Sequence, residues 1–194
     1  MHASYVNPVL KQLRDQQVRF APRDKKIEQV NRAERLLAEM EKDRSYSYEY
    51  LCYRITDYRP EATPPVVMEG KDAIHDLRLF VEDVSDAANI PVGDAGEPVH
   101  TVEELSKMFK VSTKTIARWR EQGLVSRRFV FEGRRKRVGF LRSSVERFMN
   151  QNEEKIKRGE RFSQLTDEEK AEIIDRARRL ASAGGCPSEV ARRV

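Results

Sequence analysis

The residues best suited to binding chemistry are basic side chains in two groups between positions 112 and 137. The first group follows Ser112 at helical spacing, and the second surrounds Glu132 and Gly133. Arg and Lys donate hydrogen bonds to phosphates and base edges, and short polar residues between them allow close approach. The candidates for contact with double-stranded DNA are Ser112, Thr113, Lys114, Arg118, Arg120, Arg127, Arg128, Arg134, Arg135, Lys136 and Arg137.

Two short helices are predicted to position the first group. Thr101 and Glu104 match the T-x-x-E capping box that begins a helix. Ser112 can cap a second helix over residues 113–122, which Gly123 ends. Apolar residues fall at the offsets that pack two such helices across a tight turn: Leu105, Phe109, Val111, Ile116 and Trp119. The pattern predicts a helix-turn-helix whose second helix enters the major groove.

A β-hairpin, or wing, is predicted to carry the second group. Two β-prone runs flank the turn at Glu132 and Gly133. The residues expected to form one packed face of this hairpin are Phe129, Phe131, Val138 and Phe140. The basic side chains would then meet the phosphates beside a groove. Ser143 and Glu146 predict a capping box for a helix behind the wing.

Residues 115–125, T-I-A-R-W-R-E-Q-G-L-V, and residues 140–148, F-L-R-S-S-V-E-R-F, are similar to MerR-like and excisionase-like winged helices. Those families bend or bracket DNA with the second helix and the wing. The resemblance implies DNA contacts for Thr113, Lys114, Arg118, Arg120 and residues 134–137. The chain carries Ser106 and Lys110 where many helix-turn-helix units carry alanine and glycine. A winged helix that docks on another protein is the alternative interpretation.

Residues 1–95 are predicted to form a helical domain. Apolar residues recur every three or four positions over 24–43 and 71–89, and a shorter helix is expected within 5–19. The near-heptad spacing of 71–89 also suits a homodimer, although packing against 24–43 is favoured. Proline and glycine residues from 91 to 98 place the boundary of a winged unit assigned to 99–150.

Residues 45–58 contain five of the six tyrosines. Their spacing is compatible with a strand or a helix, and we favour a helix capped by Ser47. We expect the tyrosines to belong to the core. Stacking on exposed bases is the alternative.

Residues 151–194 are predicted to form a helical C-terminal segment. A polar helical extension would reach Gly159, and acidic residues after Thr166 favour the start of a new helix. Glycines at 184 and 185 would end that helix, and Pro187 would open another. This order is expected at the start of a second helix-turn-helix. Since no recognition helix remains before Val194, we expect a fragment of a longer protein.

A longer resemblance extends over nearly the whole chain. Residues 7–22, N-P-V-L-K-Q-L-R-D-Q-Q-V-R-F-A-P, and 48–60, Y-E-Y-L-C-Y-R-I-T-D-Y-R-P, resemble planctomycete RNA polymerase sigma factors of the sigma-70 family. Residues 162–170, F-S-Q-L-T-D-E-E-K, belong to the same resemblance. It implies a role in transcription initiation and binding to core RNA polymerase. The alternatives are a stand-alone MerR-like or excisionase-like regulator and a helical protein-docking adaptor.

The composition of the chain limits the classes of protein to which it could belong. The chain has 37 Lys and Arg against 32 Asp and Glu, and its basic residues are concentrated between 101 and 149. Its two isolated cysteines favour reduced thiols, and no apolar run is long enough to cross a membrane. The histidines lack metal-site spacing, and no Walker loop, dinucleotide fingerprint or nucleophile elbow occurs. We expect a mainly α-helical cytoplasmic protein with no catalytic activity, cofactor or metal.

Overall fold

The computed structural model describes residues 4–60, 65–153 and 167–182, and these are mainly α-helical, as predicted. The helices are α1 Pro8–Phe20, α2 Arg23–Glu39, α3 Tyr48–Thr56, α4 Gly70–Ala88, α5 Val102–Met108, α6 Thr113–Gln122, α7 Arg142–Gln151 and α8 Asp167–Ser182. The strands are β1 Ser45–Ser47, β2 Val67–Glu69, β3 Ile90–Pro91, β4 Val99–Thr101, β5 Arg127–Val130 and β6 Lys136–Leu141.

Helix α4 is the central support of the N-terminal helices. Its apolar face packs against α1 and α2 through the fully buried Leu77, Phe80, Val81 and Val84. Asp76, also fully buried, accepts hydrogen bonds from the backbone amides of Val6 and Asn7 at 2.8 and 2.7 Å, which fixes the start of α1. The intramolecular packing predicted for this helix is confirmed. Its apolar face is therefore covered from within the chain and is not free to form a homodimer.

The tyrosine-rich stretch forms a strand followed by a helix. Ser47 caps α3 by accepting a hydrogen bond from the Tyr50 amide at 3.2 Å, which confirms the predicted cap. The core prediction holds only in part, because Tyr46 is buried whereas Tyr50, Tyr53 and Tyr58 are exposed. Strand β1 pairs antiparallel with β2, a ladder that the sequence did not predict.

The second sheet has the strand order β3-β5-β6-β4. The predicted hairpin is present as β5 and β6, while β3 and β4 lie at the two ends of the proline- and glycine-containing segment 91–98, where no strand was predicted. The prediction of one packed face is wrong, since Phe129 and Phe140 lie on opposite sides of the sheet. Phe129 packs with Ala88 and Ile90, and Phe140 packs with the core of α5 and α6. The reason is the period-2 alternation of side chains along a strand.

Helix α7 confirms the helix predicted behind the wing, but its start differs. The predicted capping box is wrong, because α7 begins at Arg142 without a side-chain cap. Ser143 instead donates its amide and hydroxyl to Glu97 at 2.7 and 2.8 Å. Glu146 accepts from the Arg142 side chain at 2.7 Å. The first turn of α7 is therefore bound by Glu97 of the preceding loop and not by a side chain of the helix itself.

The winged unit and the N-terminal helices share apolar contacts. Val125 packs into the core of α1 to α4, and Phe129 packs on the end of α4. In the C-terminal segment, α8 confirms a helix after Thr166. The predictions for residues 154–166 and 183–194 lie outside the described residues. No helix within the described ranges is long and apolar enough to cross a membrane.

Candidate nucleic-acid interface

The first helix of the helix-turn-helix begins as predicted. The Thr101 hydroxyl accepts from the Glu104 amide at 3.2 Å, and the Glu104 carboxylate accepts from the Thr101 amide at 2.8 Å. This reciprocal pair satisfies two backbone donors that the start of a helix leaves free. The capping box thus fixes where α5 begins.

The turn between α5 and α6 closes without glycine. Lys110 adopts φ +51°, a left-handed conformation that is costly for a residue with a side chain. The Ser106 hydroxyl donates to the Val111 carbonyl at 2.5 Å, and the Val111 amide donates to the Ser106 carbonyl at 3.0 Å. The two departures from the usual pattern therefore have linked roles, since Ser106 closes the turn that Lys110 makes.

The buried side of the two helices is the predicted apolar set. Leu105, Phe109, Val111, Ile116 and Trp119 form one cluster with Phe140 and Phe148. The Trp119 ring meets Phe109 edge-on at 5.4 Å and lies 5.7 Å from Phe148. These contacts orient α6, so its opposite side faces solvent.

The exposed side of α6 carries the first group of candidates. Ser112 caps the helix by accepting from the Thr115 amide at 3.2 Å. Thr113, Lys114, Ala117 and Arg118 are exposed. Lys114 and Arg118 are four residues apart and so lie on the same face. Within the described ranges, neither forms an ion pair, which leaves both free to meet an anion.

The tip of the wing presents three more exposed arginines: Arg134, Arg135 and Arg137. Gly133 and Arg134 take positive φ values of +73° and +60° to turn the chain. The Phe131 amide closes the turn by donating to the Arg135 carbonyl at 2.9 Å. Among the residues that the structure describes, these arginines have no acidic partner.

Arg127 is buried, with 8 % of its surface exposed. Its Nε donates to Glu34 of α2 at 2.6 Å, and its Nη1 donates to Asn31 at 2.9 Å. Glu34, itself 5 % exposed, also accepts from the Ser144 hydroxyl. Arg127 therefore joins α2, β5 and α7, a position that does not agree with the predicted DNA contact.

Two further candidates are bound to α4. Arg120 donates to Glu82 at 2.5 Å and to Ser126 at 3.1 Å. Lys136 donates to the Asp86 carbonyl at 2.8 Å and lies 3.3 Å from its carboxylate. Both side chains are thus engaged within the chain.

Arg128 is half-buried beside a groove between α1, α4 and α6. Its backbone amide donates to Ser85 of α4 at 2.9 Å. Its guanidinium forms no ion pair within the described part of the chain. Arg128 is therefore oriented by α4 but is not neutralised by it.

The last turn of α6 also rests on α4. Arg78 donates from Nη1 to the Glu121 carbonyl at 2.9 Å. Burial lowers the pKa of the Arg78 guanidinium below its usual value, and the neighbouring Glu82 carboxylate opposes this shift. The C-terminal end of α6 is consequently held by α4, whereas its N-terminal end is exposed.

The candidates missed two exposed basic residues, Lys107 in the last turn of α5 and Lys110 in the tight turn. Their position in the sequence, just before the start of α6, could have identified them as further candidates. Within residues 101–153, seven exposed cations form no ion pair with a described residue: Lys107, Lys110, Lys114, Arg118, Arg134, Arg135 and Arg137. Within the three described ranges, no three His, Cys, Asp or Glu side chains are grouped to hold a metal ion.

The comparison with known families agrees with this geometry. Residues 101–153 match a family model described as a helix-turn-helix domain. The matched span of the helix-turn-helix domain includes α5, α6, the wing and α7. No curated protein and no solved structure matches the chain.

Proposed function

We propose that the protein is a sequence-specific DNA-binding transcription regulator. The observation that carries this proposal is the exposed Lys114 and Arg118 face of α6 within a helix-turn-helix domain. A helix of this size enters the major groove, where basic side chains donate to guanine and to phosphates. Helix α6 would read base edges with this face.

The wing has a different role in the proposal. Arg134 and Arg135 stand at a tight turn and Arg137 lies near the start of β6, and all three would contact phosphates beside the groove that α6 enters. Phosphate contacts give affinity and register without distinguishing sequences, and salt weakens them. Specificity is therefore assigned to α6 and most of the salt dependence to the wing.

Selection of duplexes from a random pool at near-physiological salt tests the proposal. The parent chain is compared with a Lys114→Ala, Arg118→Ala variant. A matched control, Lys11→Ala with Arg35→Ala, removes two exposed cations of α1 and α2. We expect the parent and the control to enrich one motif that the α6 variant does not.

Two results would count against the proposal. Enrichment of the same motif by the α6 variant would show that Lys114 and Arg118 do not determine the sequence preference. If the parent binds no duplex even at low salt, the domain is better explained as a protein-docking adaptor.

A sigma-like role in transcription initiation is the more specific proposal. Its support is the resemblance of residues 7–22 and 48–60 to sigma factors, while the helix-turn-helix match supports only DNA binding. The test is co-elution of the full chain with bacterial core RNA polymerase in the absence of DNA. A stable complex at near-physiological salt supports initiation. If the chain binds DNA but not polymerase, it is a stand-alone excisionase-like regulator.

A further inference from the structure

A cavity of about 320 Å³ lies where the N-terminal helices meet the helix-turn-helix domain. It is bounded by the end of α2, the first half of α4, the last turn of α6 and α7. The apolar side chains that line it are Leu37, Ala38, Met40, Ile74, Val125 and Phe148. Its volume is at the lower end of the range found for small-molecule sites. The cavity can therefore accommodate a small apolar group.

The charged side chains around this cavity are mostly cationic. Lys42, Lys71, Arg78 and Arg147 line it, and Glu121 is the one carboxylate among its lining residues. None of the four cations forms an ion pair with another described residue. An anion would thus find four charges of opposite sign and one of like sign.

Arg78 is the cation best placed to select such an anion. It is half-buried, and among the described residues its side chain has one hydrogen-bond partner, the Glu121 carbonyl. A guanidinium carries five N–H donors, so most of its donors have no partner among the described residues. Arg78 forms no ion pair with a described residue, although the nearby Glu82 and Glu121 carboxylates offset part of the cost of its burial, and an anion in the cavity would offset more of it.

We propose that this cavity binds a small amphipathic organic anion. Its apolar part would pack on Met40, Ile74 and Phe148, and its carboxylate or similar head would pair with Arg78 and the neighbouring lysines. The volume admits a medium-chain fatty acid or a monocyclic aromatic acid. Because Glu121, Gln122 and Gly123 also line the cavity, the bound anion contacts the end of the helix that we propose reads DNA.

Calorimetric titration of the full chain with octanoate, below the concentration at which it forms micelles, tests the chemistry. Octan-1-ol and octyltrimethylammonium are the neutral and cationic probes with the same alkyl chain. We expect saturable binding of one octanoate per chain, at least tenfold weaker binding of octanol and no binding of the cation. Equal binding of octanoate and octanol, or no saturable binding of octanoate, would overturn the proposal.

Two pairs of charge reversals test the location. Lys71→Glu with Arg147→Glu changes cations of the cavity, whereas Lys11→Glu with Arg35→Glu changes exposed cations outside it. We expect the first pair to weaken octanoate binding at least tenfold and the second to leave it unchanged. An Ile74→Trp variant, checked for native helix content, should also weaken binding, because the larger side chain would fill part of the cavity. Unchanged affinity in the cavity variants would place the anion elsewhere and overturn the assignment. Because these titrations contain no DNA, their failure is distinct from a failure to bind duplex.

Discussion

Arg127 and Glu34 form a buried ion pair, and removal of one partner leaves the other charge buried and uncompensated. Arg127→Gln is expected to lower the free energy of unfolding by about 3–5 kcal/mol, as is typical when a buried pair is broken. Urea denaturation of the parent and the variant measures the difference. Arg128→Gln, which changes the next residue without breaking an ion pair, should cost well under half as much. An equal loss in both variants would show that the pair has no special role.

Arg118 and Arg135 are expected to act differently in DNA binding. Arg118→Ala should relax sequence preference, because the side chain lies on the exposed face of α6. Arg135→Ala should weaken all duplexes alike and reduce the slope of log affinity against log salt by about one. Binding to the selected motif and to a scrambled duplex, each at several salt concentrations, measures both effects. If both variants lose the same affinity for both duplexes, the proposed division between base and phosphate contacts is wrong.

The sequence identified the basic residues but could not separate those that face solvent from those that are buried. Arg127 and Arg128 are adjacent arginines, but only Arg127 is buried. Glu34, the residue that pairs with it, lies 93 residues earlier in the sequence. Likewise, Arg120 and Lys136 are bound by carboxylates of α4 that no local pattern connects to them. Lys114 and Arg118 were predictable as exposed, since the apolar residues of α6 define its buried side.

In the tight turn between α5 and α6, Lys110 adopts a left-handed backbone conformation that lowers the stability of the fold. Lys110→Gly should raise the free energy of unfolding by up to about 1 kcal/mol, because glycine adopts φ +51° without the side-chain penalty. Lys107→Gly, within α5, should instead lower it by about 0.5–1 kcal/mol, since glycine is unfavourable in helices. Thermal and urea unfolding of the two variants measure the contrast. A loss of stability in Lys110→Gly would mean that the lysine side chain makes a stabilising contact.

At the level of elements, the sequence predicted those whose signals are local. The periodicity of α2 and α4 and the capping box of α5 needed no knowledge of the rest of the chain. Strands β1 to β4 have two or three residues each, so they carry no period of their own and depend on distant partners. The start of α7 was mistaken for the same reason, because Glu97 from outside the helix binds Ser143.

The N-terminal helices and the winged unit are expected to unfold together in one cooperative transition. Val125 packs in the N-terminal core, and the Arg127 and Arg120 ion pairs cross the predicted boundary near residue 96. Trp119, the single tryptophan, reports on the helix-turn-helix domain, while far-ultraviolet circular dichroism reports on all helices. Urea transitions followed by the two signals should coincide. Two separate transitions would instead support the predicted boundary between independent domains.

Glu82 and Asp86 lie one turn apart on α4, and they hold Arg120 of α6 and Lys136 of the wing. The two anchoring points are thus separated by about 6 Å along a single helix. In the proposed complex, the distance between the bases that α6 reads and the phosphates that the wing contacts would be set before binding. One inserted base pair lengthens that distance by about 3.4 Å and rotates the two contacts relative to each other. We expect the protein to accept changes of sequence in its target more readily than changes of length.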